Sequence, residues 1–341
     1  MNKLYCGLDV SDESTAICIM DAKGNIVHEA EVETELSAYC TALKNYKGVK
    51  CVVEASPLAE TVCDWVEAVG GEIDILDPRK AKAVIKSKKK TDPLDAQKLA
   101  QLVRVGWYTK VHRKSGRSRE IRTYLTARVQ LVRTMNQLYS AIRGLLRAQG
   151  IRIKDGQAQF ERRVLDALKE RSETLQQAIT PLLTTWKEMH AREVQMYRYF
   201  ARKIVRKDPV VQLLQNEPGV GPMTAAAFVA TIDDPTRFPS GEKVTSYLGL
   251  VPSVYQSGEV EIRGRITKQG DHLLRWLLVE AATTLLCRSK KDTPLQKWGL
   301  ALKEKKGLGK AAVAVARKLA ARLHYQWVAA LEAAKIEKMA A

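Results

Sequence analysis

The stretch "LYCGLDVSDESTAICIMDAKGNIVHEAEVE", residues 4–33, decides how this 341-residue chain begins to fold. Residues 3–10 and 15–21 are rich in Val, Ile and Cys and read as strands. "AKGN" at 22–25 supplies the glycine and asparagine that a tight turn needs before a third strand over 26–33. Outward from this meander, the apolar spacing predicts a helix over 36–46, a strand in "KCVVEAS", a helix over 58–69, a strand in "EIDILDP" and a closing helix over 92–106. Three consecutive strands followed by alternating helix and strand make an α/β layer pattern.

The character then changes. Leu125, Val129, Val132, Leu138, Ile142 and Leu145 fall at helical spacing over 118–149 and pair with 158–206 as a long helical hairpin, or coiled coil. "PGVGPMTAAAFVA" holds two glycines, Gly219 and Gly221, between helical segments. "YLGLVPSVYQSGEVEIRGRITKQG" reads as extended, and the remainder as helical. The fold class is therefore α/β plus α-helical, with expected domains 1–108, 109–208 and 209–341.

The formal charge of +18 is unevenly spread. Residues 1–78 hold 15 Asp/Glu against 5 Lys/Arg, a net of −10, so the rest of the chain carries +28. A polyanion would bind the basic remainder, and nucleic acid is the natural candidate. The runs at 79–90 (seven Lys/Arg, no acid) and 110–133 (eight Lys/Arg, one acid) offer Lys86, Lys88, Lys89, Lys90, Arg117 and Arg119 as contacts; the alternative is a solvated basic surface. The six cysteines show no C-x-x-C pair and read as small core residues in a reducing compartment. "MNKLYCGLDVSDE" meets charge too early for a signal peptide. "LLRWLLVEAATTLL" is too short to span a bilayer and contains Arg275 and Glu280. The expected location is cytoplasmic and nucleoid-associated, with no membrane partner.

In "KSKKKTDPLDAQKLAQLV", residues 86–103, two aspartates stand three apart behind a lysine run. A purely structural account suffices for both: Thr91 or Asp92 caps a helix that starts at Pro93, and Asp95 opposes the helix dipole. A chemical account joins them to Asp9, near the end of the first strand, and Glu54, near the end of the fourth. Groups at neighbouring strand ends converge on one crevice in an open α/β sheet. Four carboxylates in one place repel unless divalent cations neutralise them, and two magnesium ions held by such oxygens would serve phosphoryl transfer.

The order "GLDVS", "VVEAS", "KTDPLDAQKLA" resembles the DEDD transposases of the Piv/MooV type, the one-hundred-and-ten family of insertion sequences. "NEPGVGPMTAAAFVATI", "RFPSGEKVTSYLGLVPSVYQSG" and "GRITKQGDHLLRWLLVEAA" are similar to that family's C-terminal transposase domain. The resemblance implies a RuvC-like N-terminal domain of the ribonuclease H fold, with Asp9, Glu54, Asp92 and Asp95 holding catalytic Mg2+. It also implies that Ser257 is a nucleophile that forms a covalent phosphoserine with DNA, using the acid cluster of a neighbouring subunit. Read without it, Ser257-Gly258 is a hairpin turn. Arg263, Arg265, Lys268 and Arg275 are then candidates for holding the strand, against the alternative of a solvated basic face. "PGVGPMTA" resembles a helix-hairpin-helix, whose glycine turn at Gly219 and Gly221 lets backbone amides approach phosphates; a plain glycine turn between packed helices is the alternative. The family further implies a structured noncoding bridge RNA that selects target and donor DNA, and a homodimer that pairs into a synaptic tetramer.

Three rivals stand beside this reading. A RuvC-like hydrolytic nuclease would keep the metal and use water in place of the serine. An actin-like kinase is suggested by "YCGLDVSDESTAICIMDAKGNIV", but no second glycine-rich phosphate loop accompanies it. The third is an inactive nucleic-acid binder.

Overall fold

The computed structural model describes residues 3–77, 92–154, 156–257 and 260–340; at 256, 257, 260–263 and 338–340 the description is of backbone alone. Lys86, Lys88, Lys89 and Lys90, and the capping candidate Thr91, lie outside the described residues. The chain divides into two compact units, Met1–Lys114 and Ser115–Ala341.

The first unit is a mixed sheet covered by helices. β1 (Tyr5–Val10), β2 (Ser14–Met20) and β3 (Ile26–Glu33) form the expected meander. α1 (Leu36–Leu43), β4 (Lys50–Glu54), α2 (Ala59–Ala68), β5 (Glu72–Leu76), α3 (Asp92–Val105) and the two-residue β6 (Lys110–Val111) follow. The order across the sheet is β3-β2-β1-β4-β5-β6, in which β4 runs parallel to both β1 and β5 and the other pairs are antiparallel. Side chains alternate between the faces. Cys6, Leu8, Ile17, Ile19, Cys51 and Val53 bury one face together with Tyr39 and Leu43 of α1 and Val62, Cys63 and Val66 of α2. On the other face Val52 and Leu76 pack on Leu99, Leu102 and Val103 of α3, and Ala16, Cys18 and Met20 pack on Ala96 and Ala100.

The α3 backbone lies against the sheet at Gly7. A Cβ there would stand 2.1 Å from the Ala96 carbonyl oxygen and 2.3 Å from the Ala100 nitrogen. The helix is oriented by its far end, where Arg104 donates to the Ala22 carbonyl at 3.1 Å beside the β2–β3 turn. Tyr5 pairs with Met20, so that turn lies at the start of β1. The first turn of α3 therefore falls at the carboxyl end of β1.

The second unit is mainly helical. α4 (Gly116–Ala148), α5 (Phe160–Leu168) and α6 (Glu173–Phe200) realise the predicted hairpin. It is interrupted before Ser172, whose hydroxyl caps α6 by accepting from the Leu175 amide. Met135, Tyr139, Ile142 and Leu146 of α4 close on Phe160 and Trp186 at its tip. A π-helical turn, Ala201–Val205, leads to α7 (Pro209–Leu214), α8 (Pro222–Ile232) and α9 (Gly241–Tyr247). The hairpin of β7 (Pro252–Ser257) and β8 (Val260–Ile266) follows, then α10 (His272–Cys287), α11 (Pro294–Lys306) and α12 (Leu308–Ala340). Phe200, Phe228, Leu274, Leu278, Leu319 and Leu323 share its core. All six cysteines are free, and Cys6, Cys18, Cys51 and Cys63 are buried as expected. Cys40 and Cys287 correct that reading: both are exposed, the first on the outer face of α1 and the second at the last residue of α10.

Gly7→Ala forces α3 off the sheet or bends β1. A loss of about 1–3 kcal/mol in unfolding free energy is expected from such overpacking, measured by urea denaturation. An unchanged midpoint would show that the helix yields freely at this contact.

Candidate active site

Asp9 and Glu54 directly follow Leu8 and Val53, which are register partners on adjacent parallel strands. Gly7 and Val52 face α3, so two residues further on Asp9 and Glu54 face the same way. Asp92 and Asp95 occupy the first turn of α3, above that end of the sheet. All four sequence-predicted acids thus lie at one end and on one face of the first unit. Their donors are oxygens only, which suits a hard divalent cation. Among the described residues, however, no group of three His, Cys, Asp or Glu side chains stands close enough to enclose a metal ion. Asp95 pairs with Lys98 Nζ at 2.5 Å. Asp95 lies in the first turn of α3, where the expected dipole interaction is favourable, while Asp92 is the first residue of the helix, one position before the expected start at Pro93.

The surroundings hold this end in shape. On β5, burial tends to raise the Asp74 carboxyl, but hydrogen bonds from Tyr108 (2.6 Å) and Lys110 outweigh it and keep the group below the ordinary carboxylate range. Burial, reinforced by the charge of Glu29, pushes the Cys18 thiol up to about 11, so under α3 it stays protonated and acts as a small apolar group. Arg113 is gripped by Glu60, Asp64 and Glu67 along α2 and fixes the chain where the unit ends.

In the second unit Ser257 is the last residue of β7, paired with Val260. The hairpin expected around it is present. Gly258 lies outside the described residues, and the Arg263 side chain is not described. Ser253 donates to the Arg265 carbonyl at 3.1 Å, and Gly264 leaves the room for it: a Cβ there would come within 2.4 Å of Ser253 Oγ. Arg265 and Lys268 are exposed.

Arg275 requires a correction. It is buried, and its guanidinium donates to the Leu248 and Gln269 carbonyls at 2.9 Å each, so it ties the chain on either side of the hairpin and is not presented to a strand. Arg117 is exposed but pairs with Asp208, which caps α7; Arg119 is half-buried. Gly219 has φ +88°, and a Cβ on it would lie 2.5 Å from the Ala281 carbonyl oxygen, so packing against α10 accounts for it. Gly221 precedes α8 with open space around it.

Sequence reasoning missed Glu217, in the turn before Gly219. It is almost fully buried and accepts from Arg322 Nε at 2.7 Å, Arg322 Nη2 at 3.1 Å and Gln326 Nε2 at 2.7 Å. Nothing local signals this, because its partners lie more than a hundred residues away.

Carboxylates at strand ends in the first unit, and a strongly basic remainder of the chain, are compatible with an enzyme that acts on nucleic-acid phosphodiesters. The chain matches the DEDD transposase family of IS110 type over residues 6–150 and the transposase IS116/IS110/IS902 family over residues 211–296. It is 28% identical over 317 residues to the transposase for insertion sequence element IS1111A of Coxiella burnetii, covering 92% of this chain and 86% of that protein. A Sinorhizobium fredii protein described as a transposase, y4pF/y4sB, is 30% identical over 269 residues, 75% of this chain and 66% of its own length. The transposase for IS1328 of Yersinia enterocolitica is 23% identical over 296 residues, 84% and 85% of the two chains. The chain belongs to the DEDD transposases of the IS110 family and is an enzyme acting on DNA. Its DEDD domain carries an expectation of divalent-metal dependence. No helix among the described residues is long and apolar enough to cross a membrane.

Arg322→Met leaves the Glu217 carboxylate buried with one of its two partners. Unfolding free energy should fall by about 1–3 kcal/mol, with the half-exposed position of Arg322 favouring the lower part of that range. A melting temperature equal to wild type would show that water reaches Glu217.

Proposed function

We propose that this transposase cuts and rejoins DNA through a phosphoserine on Ser257, with Asp9, Glu54, Asp92 and Asp95 as ligands of magnesium. The observation that carries the reading is the placement of all four acids at one end and on one face of the first unit. The two matched segments support it, since one contains the acids and the other contains Ser257. The first unit's sheet, a meander followed by parallel β4 and β5 with α3 across one face, is the arrangement expected of a RuvC-like ribonuclease H fold. We read the functional domains as 1–108, 109–208 and 209–341, the first compact unit reaching on to Lys114 through β6, with the hairpin as the dimerisation element.

Bound at the four carboxylates, two magnesium ions would neutralise the phosphate and stabilise the leaving oxygen. Ser257 Oγ attacks the scissile phosphorus, its proton passes to a carboxylate or to water, and the P–O bond to the sugar breaks as the P–Oγ bond forms. The phosphodiester's energy is retained for rejoining. The acids serve the serine of a second copy of the chain, two dimers make the synapse, and a structured bridge RNA selects donor and target. The basic residues of the second unit supply the electrostatics that both nucleic acids require.

Asp95→Asn should abolish strand cleavage while leaving thermal stability and most DNA affinity intact, and EDTA should do the same to the wild type. Cleavage that persists in either case removes the metal assignment. Loss of folding in Asp95→Asn would show that the aspartate's work is at the helix terminus.

Incubation with labelled element DNA, the RNA transcribed beside the gene and magnesium, followed by denaturation, should yield a protein–DNA species that protease removes. Ser257→Ala should lose this species and recombination together, whereas Ser253→Ala should keep both. Mixing Ser257→Ala with Asp95→Asn should restore part of the activity, because the mixed dimer regains one intact pairing of serine and acids. An adduct in Ser257→Ala places the nucleophile elsewhere. Clean cutting by the wild type without any adduct favours the hydrolytic nuclease.

A further inference from the structure

The β7–β8 hairpin stands over a groove of about 470 Å3, walled by α11 and α12. Pro252 and Ile266 of the hairpin's foot form its apolar side, with Trp298 of α11. Lys310, Arg317 and Lys318 line it from α12, against one carboxylate, Glu242. That carboxylate accepts from Tyr325 Oη at 3.3 Å and lies in the field of Arg317. Lys318 Nζ sits 3.9 Å from the centre of the Trp298 ring, and neither Lys310 nor Lys318 makes an ion pair among the described residues.

Three cations beside an apolar floor repel one another and have a single acid to offset them. The last turn of α11 carries Lys303, Lys305 and Lys306, and residues 295–322 contain eight Lys/Arg against one acid. Nearly all of this stretch lies beyond the segment that matches the family. A solvated surface does not require the cations to converge on a concavity. A polyanion strand does, and the Trp298 ring, with Lys318 Nζ 3.9 Å from its centre, holds that charge at the groove's wall.

We propose that this groove holds the phosphate backbone of the DNA strand presented to Ser257. The proposal rests on the reading of Ser257 as nucleophile, because the hairpin that forms the groove's edge ends at that residue. The hairpin sets a distance. From Pro252 to Ser257 is five residues, about 17 Å of strand, or roughly five nucleotides at the spacing of a stacked strand. The phosphates in the groove are therefore about five nucleotides from the cut.

The test uses the full chain and a fluorescein-labelled DNA oligonucleotide, with RNA of the same sequence as a second probe, and reads affinity by anisotropy between about 50 and 200 mM salt. Lys310→Gln/Lys318→Gln should weaken DNA binding and reduce the slope of log affinity against log salt by about 1.4, the value for two lost contacts to a single strand. Lys310→Arg/Lys318→Arg should retain the wild-type slope. Lys290→Gln/Lys291→Gln removes the same charge elsewhere and should change the slope less. Ethylation of the cleavable strand should interfere at phosphates about five nucleotides from the cut in wild type and not in the glutamine pair. An unchanged slope, an equal loss in the Lys290/Lys291 control, or a loss seen with RNA alone overturns the assignment. If the slope falls as stated but wild type never forms an adduct, the groove stands as a DNA contact and the link to Ser257 is the part overturned.

Discussion

The first unit depends on the approach of the α3 backbone to β1 at Gly7. Any side chain there would displace the Ala96 and Ala100 region of the helix, and the neighbouring Ala16 and Ala100 keep the same interface thin. Because the helix lies this low, its apolar stripe Leu99, Leu102 and Val103 reaches Val52 and Leu76, and its first turn comes down to the level of the strand ends. The positions of Asp92 and Asp95 relative to Asp9 and Glu54 are consequences of that contact. A helix some eighty residues downstream is thereby made part of the sheet's carboxyl edge, which requires the long-range closure that makes such topologies slow to form.

Much of this architecture is legible in the sequence, for definite reasons. β1 to β5 appear as short runs containing Val, Ile, Leu and Cys, and all fall within a few residues of the expected bounds. Two-residue β6 has no periodicity to detect; it exists because Lys110 and Tyr108 are held by Asp74 across the edge of the sheet. The break between α5 and α6 hides inside a continuous helical spacing, and only the cap at Ser172 marks it. Among the candidate site residues, the four acids were visible because strand ends and a helix start are local features. The burial of Arg275 was not: its acceptors are carbonyls at 248 and 269 that only the folded unit brings to it. The groove under the hairpin is equally invisible, since its walls come from segments up to 79 residues apart, Glu242 to Ala321.

Charge in the second unit follows the different chemistry of its two cations. Four of its arginines are committed to structure. Arg117 meets Asp208, Arg122 meets Asp271, Arg128 meets Glu193 and Arg322 meets Glu217, in each case an acid that is buried or nearly so. Two of these acids, Asp208 and Asp271, also cap helices, so one carboxylate satisfies backbone amide and guanidinium together. The planar, weakly hydrated fork of arginine suits such sites, whereas the ammonium of lysine is strongly hydrated and remains outside. Lys169, Lys187 and Lys297 pair only with acids that are themselves substantially exposed.

This division has a consequence for how a strongly basic chain binds nucleic acid without losing its fold. If the same cations held the helices together and gripped phosphates, each binding event would break internal pairs and strand buried carboxylates, at several kcal/mol apiece. Pairing some arginines with buried acids keeps those pairs out of the second task and leaves it to cations such as Lys310, Arg317 and Lys318. The cations left for a polyanion are then those without an internal acid, and one group of them lines the groove beside α11 and α12, around Lys310 and Lys318. Formal net charge, taken from composition, overstates the usable positive surface. The usable part is the subset of cations that are not committed to internal acids, and its location, more than its amount, determines where a strand runs.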